Sequence, residues 1–301
     1  MSLKNYIATN NNFVVNFLKI FLYKLKNKYY HVNEIIDVVS IENNGQIKVK
    51  LKEGLIIYSN PSKTIAEIQY TDRVKYGNKN KLNKILDVDK FYFLYEVLSE
   101  LFVEKVHFQY FKPMLDEVIV DCGANIGGFV IQAAKMIGDK GKIIAIEPDE
   151  ENYNLLQKNI EANGFTNVIL VKKGVWDKKD TLTFHIGIRP GEHSIIMHDD
   201  IKNQSHIKEV KIDVDTLDNI LTEINIKSVN FVKIDIEGAE IQAIKGMESV
   251  FTQTGVNWVV EAGHLVNGEM TFNEVESFMK LKGCKILSTQ ESFRGTIYAM
   301  S

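Results

Sequence analysis

One segment constrains this chain more than any other. Val118-Ile119-Val120 is a short apolar run ending in Asp121, and Cys122-Gly123-Ala124-Asn125-Ile126-Gly127-Gly128 follows it. A helical pattern then runs to Ile137. An apolar run, a glycine turn and a helix in that order open a βαβ unit. The pattern repeats at once. Lys142-Ile143-Ile144-Ala145-Ile146 reads as a second strand ending at Glu147-Pro148, and residues 168–171 read as a third. The helix between them starts acidic, Asp149-Glu150-Glu151, and stops at Asn163-Gly164. Carboxylates suit the positive end of a helix, and Asn-Gly suits its C-terminal cap. Crossovers at this spacing require a parallel sheet covered on both faces.

The second half extends the sheet. Residues 229–234 and 258–260 read as buried strands, with helices at 239–251 and 271–281. The runs at 284–287 and 296–300 are two closing strands, separated so briefly that they must pair antiparallel. Residues 181–186 and 209–214 alternate and read as a hairpin-like addition. Upstream, strands are expected near 35–41, 46–51 and 55–58, broken by Asn43-Asn44-Gly45 and Glu53-Gly54. An exposed loop is expected over 75–84, then a helix from about Asp89 to Glu104 with Asp87 or Asp89 as its N-cap.

Length and composition fit one large α/β domain with an addition: 301 residues, 45% hydrophobic and 25% charged. A net charge of −3 leaves no footprint for a polyanion, so no nucleic-acid partner is expected. The two cysteines, Cys122 and Cys284, lie in apolar runs and read as buried reduced thiols, which favours the cytoplasm. Residues 13–25 carry a helical apolar stripe interrupted by Asn16, Lys19 and Lys24, too short and polar to span a membrane. No small-residue cleavage site follows it, so a signal peptide is not expected. The stripe is expected to pack on its own protein. The lysines at 19, 24, 26 and 28 also suit a membrane surface.

Ligands in open α/β sheets sit beyond the carboxyl ends of the strands. The glycines after Asp121 let backbone approach a ligand there, beside the free N–H groups of a helix start. Glu147, ending the next strand, is placed to accept bonds from ribose hydroxyls. Together they point to a cofactor carrying adenosine. A dinucleotide fits poorly, because Gly123-Ala124-Asn125 lacks the G-x-G that pyrophosphate approach requires. A sulfonium amino acid needs partners for its ammonium and carboxylate, which Asp121 and the loop N–H groups supply.

A third motif, Val232-Lys233-Ile234-Asp235-Ile236-Glu237-Gly238-Ala239-Glu240, ends another strand. Clustered carboxylates need positive partners. Asp235 and Glu237 suit binding of an ammonium, orientation of an acceptor hydroxyl, or metal ligation. No spacing among Asp235, Glu237 and Glu261 demands a metal, and none is expected.

VDCGANIGG, AIEPDEENYNLLQKNI, VKIDIEGAE and WVVEAGH together resemble the FkbM family of S-adenosylmethionine-dependent methyltransferases, over roughly residues 117–263. The resemblance implies a Rossmann-like class I methyltransferase fold over 111–301. Its sheet is mostly parallel and seven-stranded with an antiparallel final strand, behind an N-terminal α+β extension over 1–110. It also implies S-adenosyl-L-methionine as cofactor and O-methylation of a sugar, glycan or natural-product hydroxyl. Carried over, Gly123, Asn125 and Gly127 form the cofactor loop, Glu147 holds the ribose, and residues 235–238 line the cleft. Cys122 stands where Val or Ile is common. Val175 and Trp176 fall at the adenine edge, and Gly191-Glu192-His193-Ser194 in a loop over the acceptor.

For proton removal, Glu261 and His264 are favoured over His185 and His193, with Asp235 or Glu237 positioning the acceptor. Lysines in 1–110 and 185–210 suit an acidic or phosphate-bearing sugar. Two other readings remain: a scaffold that binds adenosine or glycan without turnover, and an NAD-dependent oxidoreductase.

Overall fold

The computed structural model describes residues 31–61, 88–187, 191, 193–202, 207–287 and 295–301. The stripe at 13–25 and the loop at 75–84 lie outside them.

The first three strands, β1 (Ile36–Ile41), β2 (Ile47–Leu51) and β3 (Ile56–Ser59), form an antiparallel sheet. Next comes α1 (Val88–Leu98), whose expected continuation to Glu104 is a π-helical turn, Ser99–Glu104, stopped by Lys105 at φ 51°. The wider turn ends against Gly128. A Cβ there would lie 2.4 Å from Leu101 and 2.9 Å from Val97.

The main sheet draws on β4 (Val118–Cys122), β5 (Lys142–Ile146), β6 (Val168–Val171), β10 (Phe231–Ile234), β11 (Asn257–Glu261), β14 (Lys285–Ile286) and β15 (Thr296–Met300). Their order is β14-β15-β11-β10-β4-β5-β6. The run from β11 to β6 is parallel, and β15 lies antiparallel to both neighbours. This is the expected mostly parallel, seven-stranded sheet with its final strand reversed. β4 lies inside the sheet between β10 and β5, and both its faces are buried apolar surface, with Val120 in one core and Ile119 in the other.

The helices α2 (Gly128–Ile137) and α3 (Glu150–Ala162) follow β4 and β5. Asp149 caps α3 by accepting from the Asn152 N–H at 2.8 Å. The addition is a separate sheet in which β8 (Asp180–Ile186) pairs antiparallel with β9 (Lys208–Asp215), joined by β7 (Gly174–Val175). A short α4 (Leu217–Glu223) returns the chain to β10. The single helix expected over 239–251 is two pieces, α5 (Glu240–Lys245) and a turn at Glu248–Phe251. The break has a steric cause. A Cβ on Gly246 would stand 2.2 Å from the Trp176 carbonyl oxygen, so this close passage of two segments replaces one helical turn. The hairpin β12 (Leu265–Val266) and β13 (Glu269–Met270) precedes α6 (Phe272–Leu281).

The first sheet is fastened to α3 by side-chain amides. Asn159 accepts from the Tyr58 N–H at 2.6 Å and donates to the Tyr58 carbonyl at 3.0 Å. Asn163 treats Ile56 the same way, at 2.8 and 2.7 Å. Residues four apart on a helix rise about 6 Å. Residues two apart on a strand rise about 6.7 Å, so the two amides match alternate positions of β3. Asn159 also donates to the Ile126 carbonyl in the glycine loop at 2.7 Å. One hydrophobic cluster runs from Ile47 and Ile57 through Leu98 to Ile126 and Phe129.

Candidate active site at the carboxyl ends of four strands

The glycine loop leaves β4 through unusual backbone. Gly123 and Gly127 have φ of 82° and 88°, and Asn125, a residue that tolerates the left-handed region, has 51°. The Gly123 and Ala124 N–H groups both donate to the Ile146 carbonyl, pinning the turn across the end of β5. Glu147, one residue beyond that carbonyl, accepts from the Asn125 N–H at 2.8 Å and the Asp149 N–H at 2.9 Å. A carboxylate with one bond to each oxygen keeps further lone pairs for hydroxyl donors. Burial pushes its carboxyl up to about 7, against the pull of those two N–H groups.

Register brings β10 beside β4, so that Lys233 pairs with Asp121 and Ile234 with Cys122. Lys233 is 4% exposed in an otherwise apolar strand, and Asp121 is fully buried. The Lys233 ammonium donates to Asp121 Oδ1 at 3.0 Å and the Gly123 carbonyl at 3.2 Å, and lies 3.6 Å from Asp235. Burial opposes the ammonium, but Asp121 and Asp235 outweigh it and hold Lys233 charged. Burial raises the Asp121 carboxyl against the attraction of Lys233. Asp121 Oδ2 is buried with no hydrogen-bond partner among the described residues.

Beyond β10 the chain turns through Glu237 (φ 56°) and Gly238 (φ 96°). Asp235, Glu237 and His264 meet here, each offering a ligand atom within 4.8 Å of the others. His264 Nε2 lies 3.4 Å from Glu237, and Nδ1 lies 2.9 Å from Glu240, which is fully buried. Burial works against the imidazolium, yet Glu240 and Glu237 raise it well above its ordinary range. Ser194 donates to the Glu237 carbonyl at 2.6 Å, so the Ser194 loop does reach this edge.

Glu261 accepts from Thr296 at 3.0 Å and lies 3.4 Å from His107, and its charge also acts on Lys233 at the centre of the site. His185 faces Glu209 at 3.3 Å, and His193 stands 3.8 Å from Asp149. Val175 is packed in the main core, and Trp176 packs with Phe184, Ile212 and Val214 under the added sheet. A pocket of about 610 Å³ opens between the first sheet and α2, beside Lys52, Lys105 and Lys135, and holds none of these candidates.

Sequence reading assigns no part to Lys233 or His107, and counts Glu240 only as a charge. For Lys233 a signal existed: a lysine inside a four-residue buried strand must have a buried partner. For His107 there was none.

A family model described as the methyltransferase FkbM domain matches residues 121–286. Methyltransferase 1 of Beauveria bassiana is 28% identical over 201 residues, covering 62% of this chain and 78% of that protein. The hexuronic acid methyltransferase AglP of Haloferax volcanii is 26% identical over 149 residues, covering 50% of this chain and 56% of that protein. Among solved structures, a methyltransferase FkbM from Methylobacillus flagellatus KT aligns over 69% of this chain and 53% of its own, at 20% identity and a TM-score of 0.42.

Proposed function

The chain belongs to the methyltransferase FkbM domain family, whose model matches residues 121–286, and from that premise we propose that it transfers a methyl group from S-adenosyl-L-methionine to a hydroxyl of a sugar, glycan or natural product. One observation carries the reading. The buried Asp121 with its unpaired Oδ2, the glycine loop and Glu147 lie on β4 and β5, while Asp235, Glu237 and His264 gather beyond the neighbouring β10. The first group fits the cofactor: an orphaned buried carboxylate oxygen suits its ammonium, and Glu147 suits its ribose. The sulfonium, when bound, supplies a methyl carbon already activated for displacement.

The second group handles the acceptor. Methyl transfer needs acceptor oxygen, methyl carbon and sulfur in line, so alignment accounts for most of the catalysis. The oxygen–carbon bond forms as the carbon–sulfur bond breaks, and the hydroxyl proton must leave. His264 already holds a proton between two carboxylates, so in the metal-free protein the acceptor's proton goes to Glu237. Asp235, held by Lys233, orients the hydroxyl. The name of the AglP relative, a hexuronic acid methyltransferase, supports a sugar acceptor. No described helix is long and apolar enough to cross a membrane. Two buried free cysteines suit a reducing compartment such as the cytoplasm.

Methyl-labelled cofactor, offered with sugar nucleotides, uronic acid glycans and small alcohols, tests the reading. Label is expected on an oxygen, and Asp235→Asn is expected to lose it. Label on nitrogen or carbon only, or cofactor binding with no transfer to any acceptor, overturns O-methylation.

Cofactor affinity should also depend on pH. If the ionised Glu147 binds the ribose, affinity rises about tenfold between pH 6 and pH 8, because its carboxyl titrates at about 7. Calorimetry across that range should show the rise, and Glu147→Gln should flatten it. A flat wild-type profile removes the ionised carboxylate from cofactor binding.

A further inference from the structure

We infer that Asp235, Glu237 and His264 form a divalent-cation site, with Glu240 positioning His264. The three residues come from the ends of two adjacent strands, β10 and β11, and only the fold unites them. Their spacing is close to what one ion needs. Two ligands on a common ion at about 2.1 Å can be at most about 4.2 Å apart. A separation within 4.8 Å closes by small side-chain rotations. The donors are two carboxylates and an imidazole, a set that suits manganese, magnesium or zinc.

Glu240 is the independent observation. Histidines that bind metal almost always give their other ring N–H to a carboxylate or carbonyl, which fixes the tautomer. Here Nδ1 lies 2.9 Å from Glu240, whose side chain is fully buried, while Nε2 is left facing Glu237. The second Glu240 oxygen has no hydrogen-bond partner among the described residues. The other Glu240 oxygen accepts from the Gly238 N–H at 2.9 Å and stands in ion-pair contact with His264 Nδ1. Asp121 and Asp235 lie against Lys233, and Glu237 and Glu240 against His264.

The consequence for the acceptor rests on the methyl-transfer reading. Three protein ligands leave positions open on a six-coordinate ion. An acceptor offering two neighbouring oxygens, a vicinal diol or a hydroxyl beside a carboxylate, would chelate it and present an acidified hydroxyl.

The test begins with the full chain stripped by chelator and titrated separately with Mn2+, followed by its paramagnetic resonance, and with Zn2+, followed by competition with a chromophoric chelator. One ion per chain is expected. Asp235→Asn, Glu237→Gln and His264→Ala should each weaken binding at least about tenfold, and Glu240→Gln by about 10–100-fold. Asp213→Asn, an exposed carboxylate on β9, should change nothing. Glu237 is partly exposed, so Glu237→Gln should remain folded even where His264→Ala does not. Binding of neither ion at millimolar concentration, or undiminished binding in Glu237→Gln and Asp235→Asn, overturns the site. Methyl transfer at full rate in chelator, with no ion bound, overturns it too but leaves O-methylation standing. An ion bound without transfer to any oxygen supports the site and removes the methyl-transfer reading instead.

Discussion

Gly123→Ala is expected to destabilise the protein by more than about 4 kcal/mol, or to prevent folding, and to abolish cofactor binding in any protein that does fold. An added Cβ would lie 1.9 Å from the Asp235 carbonyl oxygen, a backbone atom that cannot rotate away. That oxygen can retreat only by parting the end of β10 from the turn after β4. The Asp235 N–H bond to the Cys122 carbonyl, 3.0 Å long, is then lost as well. Left-handed strain adds a smaller amount, about 1–2 kcal/mol for a non-glycine residue. Gly164→Ala isolates that smaller amount, since Gly164 has φ 71° and nothing within 4 Å of its added carbon. Urea unfolding of both variants makes the comparison. Equal losses would sink the claim that contact, rather than strain, fixes Gly123.

Lys233→Met should cost about 3–5 kcal/mol, because it leaves the Asp121 carboxylate buried and unpaired. Adding Asp121→Asn should recover part of that loss, since the orphaned charge is gone. Two variants with independent effects would instead add. The loss should also depend on pH. Without its partner, the Asp121 carboxyl in the folded protein lies still further above its unfolded value. A folded pKa raised in this way contributes stability below the unfolded value, and that contribution disappears as pH rises through the folded one. The gap between wild type and Lys233→Met is therefore widest at neutral pH and narrows toward pH 4. Chemical denaturation at several pH values would read it. A gap constant with pH would mean that packing of the lysine stem, not charge, is what Lys233 contributes.

Much of the fold was legible because strands buried on both faces are plain apolar runs and glycine turns punctuate them. Val118–Cys122, Lys142–Ile146 and Val168–Val171 stand where periodicity puts them. The closing pair was legible from the short gap between 287 and 296, which only an antiparallel return can bridge. The break at Gly246 was not, because its cause is the Trp176 carbonyl, seventy residues away in sequence. The π turn at Ser99–Glu104, which packs Leu101 closely on Gly128, was not legible either. The candidate site divides along the same line. Asp121, Glu147 and Asp235 announce themselves as carboxylates ending apolar runs. The His264 contact with Glu240 and the Glu261 contact with His107 depend on tertiary packing and leave no mark on local pattern.

The clamp of Asn159 and Asn163 on β3 has a consequence for the edge of the first sheet. β3 is an outer strand, and such an edge offers a template on which a second chain can add by hydrogen bonding. Both main-chain groups of Ile56 and Tyr58 are already taken by the two amides. The same two side chains that fasten the first sheet to α3 therefore also occupy the groups through which another strand could pair at those positions, and their removal would leave that stretch of edge open.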